Sequence, residues 1–196
     1  MDAKKIIQQQ ITDSIRTKEL ILSDVKQMSN IEKAALIVTE AYKKGKKTLL
    51  AGNGGSAADA QHIAGELVSK FYFDRPGISS IALTTNTSIV TAIGNDYGYD
   101  KLFARQIQAY GNVGDVFIGI STSGNAENII EALISCKEKQ ITTIGFTGAT
   151  GGKMAELCDI CIKVPSHETP RIQEAHILIG HIICCIVEEE IFGHLK

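Results

Sequence analysis

His62 and Glu66 stand four residues apart in a run of helical character, so an imidazole and a carboxylate share one helix face. That pair suits proton transfer or cation coordination. Just ahead of it, Ala51-Gly52-Asn53-Gly54-Gly55-Ser56 passes through three glycines in four positions. The apolar run Thr48–Ala51 before it reads as a buried strand. A glycine-rich turn between strand and helix lets backbone amides approach an anion without a Cβ in the way. It also sets that anion at the positive end of the helix. Ser56 is placed to cap the helix and to offer its hydroxyl to a phosphate. The whole stretch 51–66 reads as an anion cradle leading directly into acid–base or metal chemistry.

Two further turns carry similar groups. Thr84-Thr85-Asn86-Thr87-Ser88 is a hydroxyl-rich helix start, followed by Gly94-Asn95-Asp96. Ser121-Thr122-Ser123-Gly124-Asn125 enters another helix and forms a second oxyanion nest. Each alone is compatible with ordinary helix capping; two rich ones at neighbouring strand ends point to phosphate. No Gly-Lys-Ser/Thr follows the glycines and no complete G-x-G-x-x-G is present, which disfavours nucleotide binding by the usual routes.

The elements that must position these groups follow from periodicity. Strands are expected at 48–51, 79–84, 115–120, 142–147 and 160–164, with helices at 56–72, 87–95, 101–110, 126–139, 152–157 and 170–191. Alternation of this kind predicts a parallel sheet covered on both faces, with ligands beyond the carboxyl ends of the strands. Ahead of it, residues 2–28 have amphipathic helical spacing, and a second helix is expected from near Asn30 to Gly45. These two helices have no evident sheet to cover. Either they serve oligomerisation with another copy, the reading favoured here, or they fold back over the subunit's own sheet. The 196 residues form one domain: the helical pair 1–45 and an α/β core 46–196 with a long C-terminal helix.

Composition excludes several function classes. A net charge of −2 gives no reason to expect nucleic acid. No apolar run reaches about 18 residues, so no membrane span is expected. The first 30 residues are studded with charges and do not resemble a signal peptide, so the expected location is the cytoplasm. Five cysteines lack a disulfide-framework spacing. Cys158-x-x-Cys161 lies in an apolar segment and reads as buried thiols, not as half a zinc site. The last helix is apolar nearly all round and should be buried. His176 within it reads as a core residue, whereas His181 gains its reading from the resemblance below.

Ala-Gly-Asn-Gly-Gly-Ser at 51–56, Gly-Asn-Asp at 94–96, Gly-Ile-Ser-Thr-Ser-Gly-Asn at 119–125 and Arg-Ile-Gln-Glu at 171–174, together with His62, Glu66, Gln173 and His181, resemble the phosphoheptose isomerases of the sugar isomerase (SIS) fold family. The resemblance covers essentially the whole chain. It implies an SIS-type three-layer α/β sandwich around a five-stranded parallel sheet. The implied reaction is ketose–aldose isomerisation of sedoheptulose 7-phosphate to D-glycero-D-manno-heptose 7-phosphate, the first step towards the heptoses of lipopolysaccharide or capsule. It further implies substrate contacts from Asn53, Gly54, Gly55, Ser56, Glu66, Asn95, Asp96, Ser121, Thr122, Ser123 and Gln173. By the same resemblance His62, Glu66, Gln173 and His181 ligate one zinc ion per subunit, and the assembly is a homotetramer with active sites between subunits.

The residue types suit that reaction, with Glu66 as base and His181 as acid in an enediol pathway. A divalent ion would stabilise the enediolate. The two accounts overlap, because a metal-bound carboxylate is a poorer base. Gln173 and His181 are eight residues apart, about 12 Å along a helix at 1.5 Å per residue. Either they reach one kind of site from different subunits, or the helix begins after Gln173. Two departures stand out: Ala126 replaces a serine frequent in the family, and Thr169-Pro170 stand where some members carry an aspartate. The same fold includes a non-catalytic tetrameric regulator of the replication initiator. It keeps the cradle but replaces the Glu66 and His181 equivalents, both of which this chain retains. A sugar-phosphate sensor attached to DNA-binding machinery is disfavoured by the lack of any basic DNA-reading domain.

Overall fold

A computed structural model describes residues 2–196. In chain order the elements are α1 (Ala3–Ser23), α2 (Val25–Lys43), β1 (Thr48–Gly52), α3 (Gly55–Val68), β2 (Ser80–Ala82), α4 (Thr87–Asp96), a 3-10 turn, α5 (Leu102–Tyr110), β3 (Val116–Ile120), α6 (Glu127–Glu138), β4 (Thr142–Thr147), α7 (Met154–Leu157), β5 (Ile160–Lys163) and α8 (Thr169–Phe192). The five strands are all parallel and run in the order β2-β1-β3-β4-β5. Chain direction across the sheet therefore reverses between β1 and β3, and a crevice opens at that switch point.

The period-2 alternation of buried strands sends neighbours to opposite faces. Leu50, Ile118 and Ile144 join a core with Val38 of α2, Ile63 and Leu67 of α3 and Ile179 and Ile183 of α8. Leu49 and Phe117 join a second core with Phe103 and Ile107 of α5 and Ile129 and Leu133 of α6. Helices on both faces of one sheet make three layers, as expected. Among the described residues no helix is long and apolar enough to cross a membrane.

Several boundaries differ from those expected. The first helix breaks at Asp24, not near Asn30. The Asp24 carboxylate accepts from the backbone N–H groups of Lys26 and Gln27, capping α2. Apolar periodicity through Leu22, Val25 and Met28 runs across this break and hides it. Asn30 lies inside α2 and donates to the Cys161 carbonyl. The helix after the cradle ends at Val68, short of 72.

The second N-terminal helix does have a sheet to cover. Ile31, Ala34, Ala35 and Val38 of α2 are buried in its own core, and Gln27 accepts from the backbone N–H of Lys163 at the edge strand. Only Thr17 and Ile21 of α1 are buried, so the unpartnered apolar face belongs to α1. His176 is fully buried, as read from its apolar setting, with Nε2 3.1 Å from the Thr147 carbonyl. The cysteines are free thiols, and burial raises Cys158 and Cys161 above the usual thiol range.

Candidate active site

Two helices start at the β1/β3 crevice without a side-chain cap. The first, α3, is preceded by Gly54 at a φ of 56°. The second, α6, is preceded by Ala126. The first N–H groups of a helix have no intrahelical partner, so two sets of orphan donors and two positive helix ends converge here. Ser56 does not cap α3, contrary to expectation. It lies inside the first turn, nearly buried, and faces the crevice.

The crevice is a cavity of about 380 Å³. Asn53, Gly54, Gly55 and Ser56 form one wall, and Ser121, Thr122, Ser123 and Ala126 the other. Thr169 and Gln173 close it from the first turns of α8. Lined by backbone amides and hydroxyls and free of carboxylates, it suits a phosphate. The Ser121–Ser123 nest is held by the loop after β4: Gly148 N–H donates to the Thr122 carbonyl, and Lys153 N–H donates to Asn125 Oδ1.

Sequence reasoning missed the group that orients Asn53. The buried Asn128 of α6 exchanges two hydrogen bonds with it, each 2.9 Å, and Tyr99 donates its hydroxyl to Asn53 Oδ1 at 3.0 Å. This amide pair ties the β1 turn to α6, linking the two halves of the cradle. A lone asparagine past the nest carries no sequence signal for that role. Asn95 and Asp96 end α4 as an exposed pair outside this cavity, with Asn95 donating to Asp96 at 2.7 Å.

Further along α3 the second cluster assembles. His62 Nε2 lies 3.0 Å from Glu66 Oε1, as the four-residue spacing required. From α8, His181 brings its Nε2 to 3.3 Å from that of His62. The helices approach closely because Gly180 has no side chain: a Cβ there would fall 2.5 Å from Ile63 Cδ1. The ring of Phe71 packs 5.6 Å from that of His181. One turn before His62, burial raises the Asp59 carboxyl above its usual range, partly offset by the imidazole.

One ligand atom from each of His62, Glu66 and His181 falls within 4.8 Å of the other two. Two imidazoles and a carboxylate are a donor set that fits zinc, with open positions left for substrate or solvent. Gln173 does not join this trio along the helix. The helix begins at Thr169 and runs unbroken to Phe192, so Gln173 and His181 remain about 12 Å apart along its axis.

Comparison with known proteins identifies the family. The SIS domain family model matches residues 15–148. Phosphoheptose isomerase 2 of Campylobacter jejuni is 73% identical over 181 residues, covering 92% of this chain and 90% of the relative. The phosphoheptose isomerase of Aneurinibacillus thermoaerophilus is 68% identical over 186 residues, covering 95% and 94%. The solved structure of phosphoheptose isomerase from Neisseria gonorrhoeae superposes with a TM-score of 0.90 at 39% identity, covering 95% of this chain and 99% of that one. With an anion cavity at the switch point, a His/Glu/His cluster on the adjoining helices and relatives of this closeness over nearly its full length, the chain belongs to the phosphoheptose isomerases of the SIS-domain family.

Proposed function

We propose that this protein isomerises sedoheptulose 7-phosphate to D-glycero-D-manno-heptose 7-phosphate in the cytoplasm, supplying heptose for lipopolysaccharide or capsule. The observation that carries this reading is the pairing of a glycine- and hydroxyl-lined cradle with the His62–Glu66–His181 cluster, built by α3, the helix leading out of the cradle, and by α8. The replication-regulator alternative is disfavoured by the same cluster and by the relatives, which are isomerases by name.

The cradle amides and the Ser121–Ser123 hydroxyls hold the phosphate, and Gln173 and Thr169 face the sugar from α8. Glu66 removes a proton from C1 of the ketose, giving an enediol. His181 takes the proton from O1 and delivers one to O2, and the proton held by Glu66 returns to C2 to leave the aldose. Glu66 Oε1 faces His62, which leaves the second oxygen for the carbon acid. His62, Glu66 and His181, with Gln173 by resemblance, would hold zinc. When bound, the ion supplies positive charge against the enediolate oxygens.

Because Gln173 and His181 lie too far apart on one helix, we assign them to sites shared between copies in a homotetramer. Asn95 and Asp96, outside the cavity of one chain, fit the same arrangement. Turnover of sedoheptulose 7-phosphate by the purified protein, with and without chelator, tests the reading. Product lost with chelator and restored by zinc supports both reaction and metal. No product, with sugar phosphate still bound, overturns it in favour of another heptulose or the regulator.

A further inference from the structure

Arg75 and Glu188 form an ion pair at 3.0 Å whose side chains are each 1% exposed. Burying two charges costs more than their attraction returns unless the remaining donors and acceptors are also used. Here they are used on backbone groups around the His62–Glu66–His181 cluster. Arg75 Nη2 donates to the Glu66 carbonyl at 2.9 Å, and Nη1 donates to the carbonyls of Leu67, Ser69 and Pro76 at 2.7, 3.0 and 3.0 Å. Glu66 and Leu67 belong to the last turn of α3, where carbonyls lack intrahelical partners and a cation meets the negative helix end. The planar guanidinium fork reaches several of them at once, which an ammonium on a flexible stem does not.

Glu188 completes the link. It accepts from the backbone N–H groups of Phe71 and Tyr72 at 2.8 and 2.7 Å, fixing the segment that lays the Phe71 ring against His181. It stands seven residues after His181, two turns on the same face of α8. One ion pair thus joins the end of the helix bearing Glu66, the loop bearing Phe71 and the helix bearing His181.

We infer that Arg75 and Glu188 are positioning residues for the His62–Glu66–His181 cluster, holding the end of α3 in register against α8. The inference rests on reading that cluster as the reaction centre. Neither side chain touches the cradle, so phosphate binding should be indifferent to both.

The test uses Arg75→Lys, which keeps the charge but loses the fork, and Glu188→Gln, which keeps the shape but loses the charge. Asp115→Asn serves as control, because Asp115 is buried and charged but its side-chain partners, Lys47 and Asn112, lie outside α3, the 69–76 segment and α8. Both strut variants should lower kcat and weaken zinc retention against a chromophoric chelator by about 10- to 100-fold, the usual effect of removing an outer-shell partner. KM for the sugar phosphate should stay near wild type, and amide exchange over residues 66–72 should quicken. Asp115→Asn should lose comparable thermal stability with none of these changes. Strut variants that match wild type in kcat, zinc retention and exchange would overturn the inference. So would a control that loses activity and zinc in proportion to its melting temperature. Should Arg75→Lys fail to fold, Glu188→Gln decides alone. A wild-type protein that neither isomerises nor retains zinc would overturn the functional reading instead. Exchange over 66–72 and the imidazole resonances of His62 and His181 in the metal-free variants would still decide the strut.

Discussion

His62 Nε2 faces two acceptor-bearing groups at once: Glu66 Oε1 at 3.0 Å and His181 Nε2 at 3.3 Å. A neutral imidazole nitrogen is either a donor with one hydrogen or an acceptor with one lone pair. It cannot donate fully to both neighbours, and one ligand atom from each of the three residues lies within 4.8 Å of the others. A cation held among them would resolve that conflict. Metal-free protein titrated with zinc should therefore bind one ion per chain. His62→Ala and His181→Ala should each weaken binding by at least about 100-fold, since each removes one of few ligands. Equal affinity in the three proteins, measured by chelator competition, would place the metal elsewhere.

Glu66 is the only carboxylate of the trio and projects from the same helix whose start builds the cradle. Glu66→Gln keeps the shape and removes the base. Turnover should fall by about 10²- to 10⁴-fold, the range for a lost general base. Binding of inorganic phosphate, followed by calorimetry, should be unchanged because the cradle is made by other residues. A fully active variant would sink the assignment of Glu66 as base.

Two glycines at the cradle separate substrate binding from folding. A Cβ at Gly55 would meet Gln173 Nε2 at 2.5 Å, the far end of a flexible side chain that can swing away. Gly55→Ala should therefore fold normally and raise KM, by about tenfold if one good polar contact to substrate is displaced. A Cβ at Gly124 would meet the Gly151 carbonyl at 2.1 Å, in a backbone at a φ of +68°. Nothing there can yield cheaply, and Gly124→Ala should cost about 3 kcal/mol of stability. Melting temperatures and KM for both variants check this; a melting loss confined to Gly55→Ala would reverse the account.

What the sequence showed and what it hid divide along physical lines. The parallel sheet was legible because short apolar strand-like runs alternate with segments of helical spacing. The His62–Glu66 pair was legible because helical spacing alone brings them together. Strand order and the meeting of His181 with His62 were not, since they depend on Gly180 letting two helices touch across 119 positions. Asn128, Tyr99, Arg75 and Glu188 were invisible for a related reason. Asn128, Tyr99 and Glu188 act through backbone or amide partners distant in sequence, Arg75 is fixed by its ion pair with the distant Glu188, and no local pattern marks such residues. The break at Asp24 was missed because the apolar period continues through it.

His176 ties stability to pH. Burial lowers its pKa from 6.5 to about 4, while the bond to the Thr147 carbonyl acts the other way. The unfolded chain thus binds a proton that the folded one refuses between about pH 6.5 and 4. Stability contributed by the neutral ring is fully present above pH 6.5 and declines as pH falls through this window, by about 3 kcal/mol at its lower end. His176→Gln retains a donor for the carbonyl but does not titrate. Its urea midpoint should fall less steeply than wild type between pH 7 and pH 4.5. Parallel curves for the two proteins would show that His176 is not the group responsible.

The exposed face of α1 carries Ile7, Ile11 and Ile15 in one stripe, each more than half exposed, while Leu22 and Val25 near the interhelical turn reach 71% and 84%. Arg171 of α8 holds this helix in place by donating to the carbonyl and side-chain oxygen of Gln10, at 2.8 and 2.9 Å. A fixed apolar stripe stabilises an assembly by about 1.5 to 3 kcal/mol for each such side chain it buries. Arg171 also sits two residues before Gln173, so the helix that carries this stripe is tied to a wall of the cavity. Replacing Ile7, Ile11 and Ile15 with Gln preserves helix propensity and removes the stripe. Wild-type protein should sediment as a tetramer and the triple variant as smaller species. Activity should fall with the assembly, because one chain cannot bring Gln173 and His181 to one ion. A triple variant that remains tetrameric would move the interface off α1, and one that is fully active as a monomer would show that each chain carries a complete site.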